Sequence, residues 1–147
     1  MTAGRVLIVE DNEKNMKLLR DVLRAKGYST LEATSAAEAL ELAVQHLPDL
    51  VLMDIRLPDA DGTETLGRLR ADPRAVSTPV VAVTAQAMHG DHERFLAVGF
   101  DGYIPKPVDV VALLAVVEQL CQSNARSSAE RHSVRRPAAQ PRPRTGS

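Results

Sequence analysis

Cysteine, extended apolar runs and glycine-rich turns are what this 147-residue chain has least of. Its single cysteine, Cys121, excludes an internal disulfide and fits a reducing, cytoplasmic setting. Near the end of a helix it reads more readily as a passive small residue than as a redox thiol. No apolar run reaches the roughly 20 residues that a membrane helix needs, so no membrane insertion is expected. The run Val110–Val117 is unbroken but only eight residues long. The opening Met-Thr-Ala-Gly-Arg passes straight into an apolar strand, and no secretory h-region is expected there. The first strand–helix turn reads Glu-Asp-Asn-Glu-Lys and carries no glycine fingerprint, which excludes a dinucleotide site.

The net charge of −1 conceals a split. Residues 1–120 carry 12 basic and 18 acidic side chains, whereas the chain from 121 onward has six arginines against Glu130. The acidic body is not a nucleic-acid binder by composition, and only the tail could make weak, nonspecific phosphate contacts. Hydrophobic periodicity also stops near residue 122, after which Ser, Ala, Arg and Pro dominate. The expectation is a folded domain over 1–122 and a disordered tail over 123–147.

Within the body, strand-like and helix-like segments alternate five times. The strands are Arg5–Val9, Tyr28–Ala33, Leu50–Met53, Val80–Val83 and Gly102–Ile104. Between and after them, apolar residues recur at helical spacing: Met16, Leu19, Val22 and Leu23; then Ala39, Leu42 and Ala43; then Leu66 and Leu69. Two further helices are expected over Met88–Val98 and Val108–Leu120. Asn12 or Asn15, Ser35 with Glu38, and Asp109 supply start signals. Five βα units predict an α/β fold: a five-stranded parallel sheet, doubly wound, with five helices. The first, third and fourth strands are the apolar ones and belong in the middle.

In such a sheet the binding crevice lies beyond the carboxyl ends of the strands. Glu10, Asp11, Asp54, Thr84 and Lys106 all fall there. Acidic groups at buried strand ends repel one another, and a divalent cation or an ammonium relieves that repulsion. The cluster reads as a magnesium-assisted phosphoryl-transfer site with Asp54 as nucleophile. Each member also has a plainer reading. Glu10 and Asp11 could cap the first helix, Thr84 could start a helix, and Lys106 could be a surface lysine between prolines. Agreement among all of them carries the inference.

Glu10-Asp11, Asp54, Thr84-Ala85 and Lys106-Pro107, each following its strand in order, resemble the receiver (CheY-like) domain of two-component response regulators. The segments Val9–Met16 and Val83–Met88 look most like stand-alone cell-cycle regulators of the DivK type or receivers of hybrid kinases. The resemblance covers residues 5 to about 121 and implies the flavodoxin-like strand order 2-1-3-4-5. It implies Mg2+ (with Mn2+ able to substitute) on Asp11, Asp54 and the Arg56 main-chain carbonyl, with Glu10 acting largely through water. Thr84 and Lys106 would then serve the phosphoryl group, and the Lys106–Pro107 bond would be cis.

The same resemblance makes Thr84 and Tyr103 a switch pair, with output from the surface of the fourth helix, fifth strand and fifth helix. It places Arg56 and Gln86 beside the path of hydrolytic water. Arg56 stands where some fast-hydrolysing regulators have a short amide, so a phosphoryl lifetime of minutes or longer is expected, although a solvated arginine with no kinetic role is an equal alternative. The implied partners are a histidine kinase or histidine phosphotransfer protein and an unknown downstream protein. Docking would use Asn15, Met16, Lys17 and Arg20, with Met16 equally readable as core. Aspartyl phosphatases generally need a second aspartate two residues after the nucleophile, and Arg56 stands there instead. A transcriptional output domain, or the remaining domains of a hybrid kinase, would have to lie outside these 147 residues.

Overall fold

In the computed structural model, described for residues 4–85 and 97–121, successive residues of each central strand point to opposite faces of one parallel sheet. The strands are β1 (Gly4–Val9), β2 (Tyr28–Ala33), β3 (Leu50–Asp54), β4 (Val80–Thr84) and β5 (Gly102–Pro105), in the order β2-β1-β3-β4-β5. β3 and β4 are buried at every position and β2 is an edge. That is where continuous apolar runs and a half-polar strand belong, because a parallel sheet is covered on both faces.

The helices divide between those faces. Helices α1 (Glu13–Ala25) and α4 (residues 110–121) cover one, where Leu19, Leu23, Leu113 and Val117 meet Val6, Ile8, Leu52 and Val81. Helices α2 (Ala36–His46) and α3 (Gly62–Ala71) cover the other, where Ala39, Ala43, Leu66 and Leu69 meet Leu7, Val9, Val51 and Met53. The expectation of five helices is corrected here: the described residues form four. Of the segment expected as a helix over Met88–Val98, residues 97 and 98 are helical and 88–96 lie outside the described residues, as do Gln86 and 123–147.

Start signals in the sequence correspond to real caps. Asn12 Oδ1 accepts the Asn15 N–H at 3.0 Å, which makes Asn12 the cap of α1. Ser35 Oγ accepts the Glu38 N–H, and Glu38 reaches back to the Thr34 N–H at 2.8 Å. Asp109 Oδ1 accepts the Val111 N–H at 3.0 Å, so α4 begins at residue 110 rather than at 108. Glycine is required at position 62. A Cβ there would stand 2.8 Å from the Ile55 Cα and 3.0 Å from the Asp54 carbonyl oxygen. This contact lets α3 start directly against the end of β3.

Candidate active site

Strand ends deliver the site. β1 stops before Glu10 and Asp11, β3 ends on Asp54, β4 ends on Thr84, and Lys106 follows β5. The Lys106 N–H donates to the Thr84 carbonyl at 2.9 Å, so the ladder between β4 and β5 fixes the root of the lysine. The Lys106–Pro107 peptide bond is cis. A cleft of about 580 Å3 opens here, lined by Glu10, Asp11, Asp54, Arg56, Thr84 and Lys106 together with Asn12, Asn15 and Ala85.

Asp54 is 7% exposed and held at both oxygens. Its Oδ1 accepts the Arg56 N–H at 3.1 Å, and its Oδ2 accepts from Lys106 Nζ at 2.9 Å. Glu10 is buried more deeply, at 1%. Its Oε2 accepts the Asn12 N–H at 3.1 Å, and its Oε1 lies 2.9 Å from Lys106 Nζ. That second contact is a buried ion pair. Oε1 therefore keeps unused acceptor capacity in a buried position.

Burial pushes the Glu10 carboxyl above its ordinary range. Lys106 and the Asn12 amide offset part of this rise, while the Asp54 charge adds to it. For Lys106, burial works against the ammonium, but Glu10 and Asp54 outweigh it and the net displacement is upward. One lysine thus serves as counter-ion to two carboxylates from different strands.

Oxygen atoms of Glu10, Asp11 and Asp54 lie within 4.8 Å of one another. Hard oxygen donors with one carboxylate open to solvent suit magnesium, which retains several of its waters. Glu10 Oε1, buried and paired only with the Lys106 ammonium, keeps a lone pair that a bound ion or its water would complete.

The other expected residues are placed unequally. Thr84 is buried at the cleft, and Arg56 is exposed at its rim. Tyr103, in register with Ala82, is half-buried and packs on the α2–α3 side of the sheet. Among the docking candidates, Asn15 lines the cleft and Lys17 makes an exposed pair with Asp21 at 2.7 Å. Arg20 is tied to Glu32 at 3.3 Å. Met16 is 6% exposed and packs with Leu19 and Leu23, while it also borders a surface pocket with Lys17 and Arg20. The Asn12 amide, which holds Glu10, was not anticipated. A main-chain donor leaves no signature in residue types.

The response regulator receiver domain pattern matches residues 6–118. The polar-differentiation response regulator DivK of Brucella ovis is 49% identical over 113 residues, which cover 77% of this chain and 92% of that protein. The DivK of Brucella anthropi is 48% identical over the same shares. Among solved structures, the receiver domain of a sensor histidine kinase from Pseudomonas aeruginosa PAO1 is 31% identical, with a TM-score of 0.75 over 81% of this chain and 98% of that one. That structure has a magnesium ion coordinated in its active site cleft. By its strand order, its acidic strand ends and these relatives, the chain belongs to the response regulator receiver domain family.

Proposed function

We propose that Asp54 accepts a phosphoryl group from the phosphohistidine of a histidine kinase or histidine phosphotransfer protein. The observation that carries this reading is the disposition of Asp54. It is a nearly buried carboxylate, bonded to Lys106 and grouped with the oxygens of Glu10 and Asp11. An Asp54 carboxylate oxygen forms the new bond to phosphorus as the phosphorus–nitrogen bond to histidine breaks, giving an acyl phosphate. Bound magnesium would be held by Asp11 and Asp54, with the Arg56 carbonyl as a further ligand and Glu10 acting through water. It supplies charge neutralisation on the phosphoryl oxygens.

Lys106 changes partners as the reaction proceeds, leaving the Asp54 oxygen for a phosphoryl oxygen without moving its backbone. Thr84 offers its hydroxyl to another, and Ala85 leaves room for the group. Tyr103 follows Thr84 inward and carries the change to the surface around β5 and α4, where an unidentified downstream protein reads it. Arg56 at the rim shields the acyl phosphate for minutes, and Arg56→Asn shortens that lifetime. The protein promotes its own phosphorylation and dephosphorylation and turns over no separate small molecule.

No described helix is long and apolar enough to cross a membrane. The cytoplasm, where kinase domains supply phosphohistidine, is the compartment this reading requires. Residues 1–122 form the acting unit, so truncation after Gln122 preserves folding and phosphorylation.

Mixing the protein with Mg2+ and a small phosphodonor adds one phosphoryl group, located at Asp54 by mass spectrometry. Asp54→Asn abolishes it and Asp11→Ala suppresses it. Labelling of serine, threonine or histidine instead would overturn the reading.

A further inference from the structure

The loop that leaves the end of β3 is fastened to a helix distant in sequence. Asp59 Oδ1 accepts the Ala36 N–H at 2.7 Å, and Asp59 Oδ2 accepts the Ala37 N–H at 3.1 Å. Helix α2 already has its own cap in Ser35 and Glu38, so Asp59 adds a second restraint, one that spans two elements. The Ala36 and Ala37 amides hold the Asp59 carboxyl below the usual carboxylate range, and the tether stays charged at neutral pH.

The loop itself is closed and short. Arg56 and Asp61 face each other across an antiparallel bridge, and the Gly62 N–H donates to the Ile55 carbonyl at 2.6 Å. These two contacts tie the ends of the loop together. Within it, the Arg56 N–H is the group that holds Asp54 Oδ1. A displacement at Asp59 therefore reaches the nucleophile through the Arg56 amide and alters the cleft rim at the same time.

We infer that Asp59 is a positioning residue: by pinning the 55–61 loop to the start of α2 it fixes the Arg56 amide against Asp54, and with it the metal end of the site. This rests on the phosphoacceptor reading above. Asp59 touches no reacting atom. Its effect is on how Asp54 and the magnesium ligands are presented.

The test compares Asp59→Ala, Asp59→Asn and Ser35→Ala with the unaltered protein. Ser35→Ala weakens the same helix start without touching the loop. Mg2+ affinity is measured by calorimetry, phosphorylation by a small phosphodonor is followed at saturating Mg2+, and the Arg56 amide is observed by NMR. Asp59→Ala is expected to weaken Mg2+ by about tenfold, to slow phosphorylation even when Mg2+ saturates, and to shift the Arg56 amide signal. Asp59→Asn, which keeps one acceptor oxygen, recovers part of each effect and provides the reading if Asp59→Ala does not fold. Ser35→Ala lowers the melting temperature but leaves all three readouts near those of the unaltered protein.

Unaltered Mg2+ affinity and phosphorylation in both Asp59 variants would overturn the inference while leaving Asp54 as acceptor. So would equal deficits in Ser35→Ala at a matched loss of stability. Absence of Asp54 phosphorylation in the unaltered protein would instead defeat the reading beneath it.

Discussion

Lys106 Nζ stands 2.9 Å from Asp54 Oδ2, at a separation of 52 residues in sequence. The same ammonium is 2.9 Å from Glu10 Oε1. Two carboxylates on neighbouring strands thereby share one counter-ion, and a divalent cation entering the cleft meets a field already partly neutralised.

Removing that charge has opposite effects on binding and chemistry. In Lys106→Ala, Mg2+ binding should tighten by about 1 kcal/mol, roughly fivefold, because the cation no longer competes with an ammonium for the same oxygens. Phosphorylation should slow sharply, since nothing replaces Nζ on the transferring group. Calorimetric titration beside a phosphodonor time course separates the two. Unchanged or weaker Mg2+ binding would show that Lys106 does not screen the site.

Gly62 gives a second prediction. A methyl group there would sit 2.8 Å from the Ile55 Cα, a contact that backbone cannot relieve by rotating a side chain. Gly62→Ala should cost about 1–3 kcal/mol of stability and displace the end of β3. Gly67 is the matched control on the same helix, because a methyl group added there would meet nothing within 4 Å. Gly67→Ala should be neutral or stabilising, as expected for alanine in an exposed helix. Equal melting temperatures for the two variants would refute the close-approach argument.

The difference between those two glycines shows where sequence reasoning stops. Five strands, the apolar central ones among them, and the carboxylates at strand ends were legible because each is a local pattern, whereas the expected five helices are four among the described residues. Glu10, Asp54 and Lys106 converge because parallel strands place their carboxyl ends on one side. The need for glycine at 62 and the hold of Asp59 on α2 were not legible. Both depend on approaches between segments whose separation in space no local period reports. The Asn12 amide on Glu10 was hidden for another reason, since every residue except proline carries that donor. Met16 satisfied both a docking and a core expectation at helical spacing, and its packing against Leu19 and Leu23 could not be read from that spacing.

Cys121 is the last described residue of α4, and burial pushes its thiol up to about 12. At neutral pH it is protonated and shielded, so an alkylating reagent should modify it only in denaturant. The stability linked to this group is fully present below the unfolded thiol's value of 9.0 and is lost as pH rises through the folded value of about 12. Cys121→Ala should therefore flatten the part of the alkaline unfolding curve that falls between those limits. Rapid alkylation of the folded protein at pH 7 would contradict the burial.

Leu47 ends α2 in the left-handed region, with φ 46° and ψ 63°, while its side chain is 56% exposed. Its N–H still donates to the Ala43 carbonyl at 3.0 Å, so the conformation closes the helix with an αL cap, and Pro48 prevents further winding. A branched-chain hydrocarbon gains little here, because its side chain buries little surface and its Cβ crowds the following carbonyl. Left-handed geometry costs a non-glycine residue roughly 1–2 kcal/mol, and glycine's greater freedom when unfolded returns part of that. Leu47→Gly should thus stabilise the protein by about 0.5–1 kcal/mol, read as a rise of a few degrees in melting temperature. Leu47→Val, whose β-branch worsens the crowding, should move it the other way. Neither change should alter Asp54 phosphorylation, because the α2 C-terminus faces away from the strand ends that build the cleft. A lower melting temperature for Leu47→Gly would mean that contacts of the leucine side chain outweigh the backbone strain.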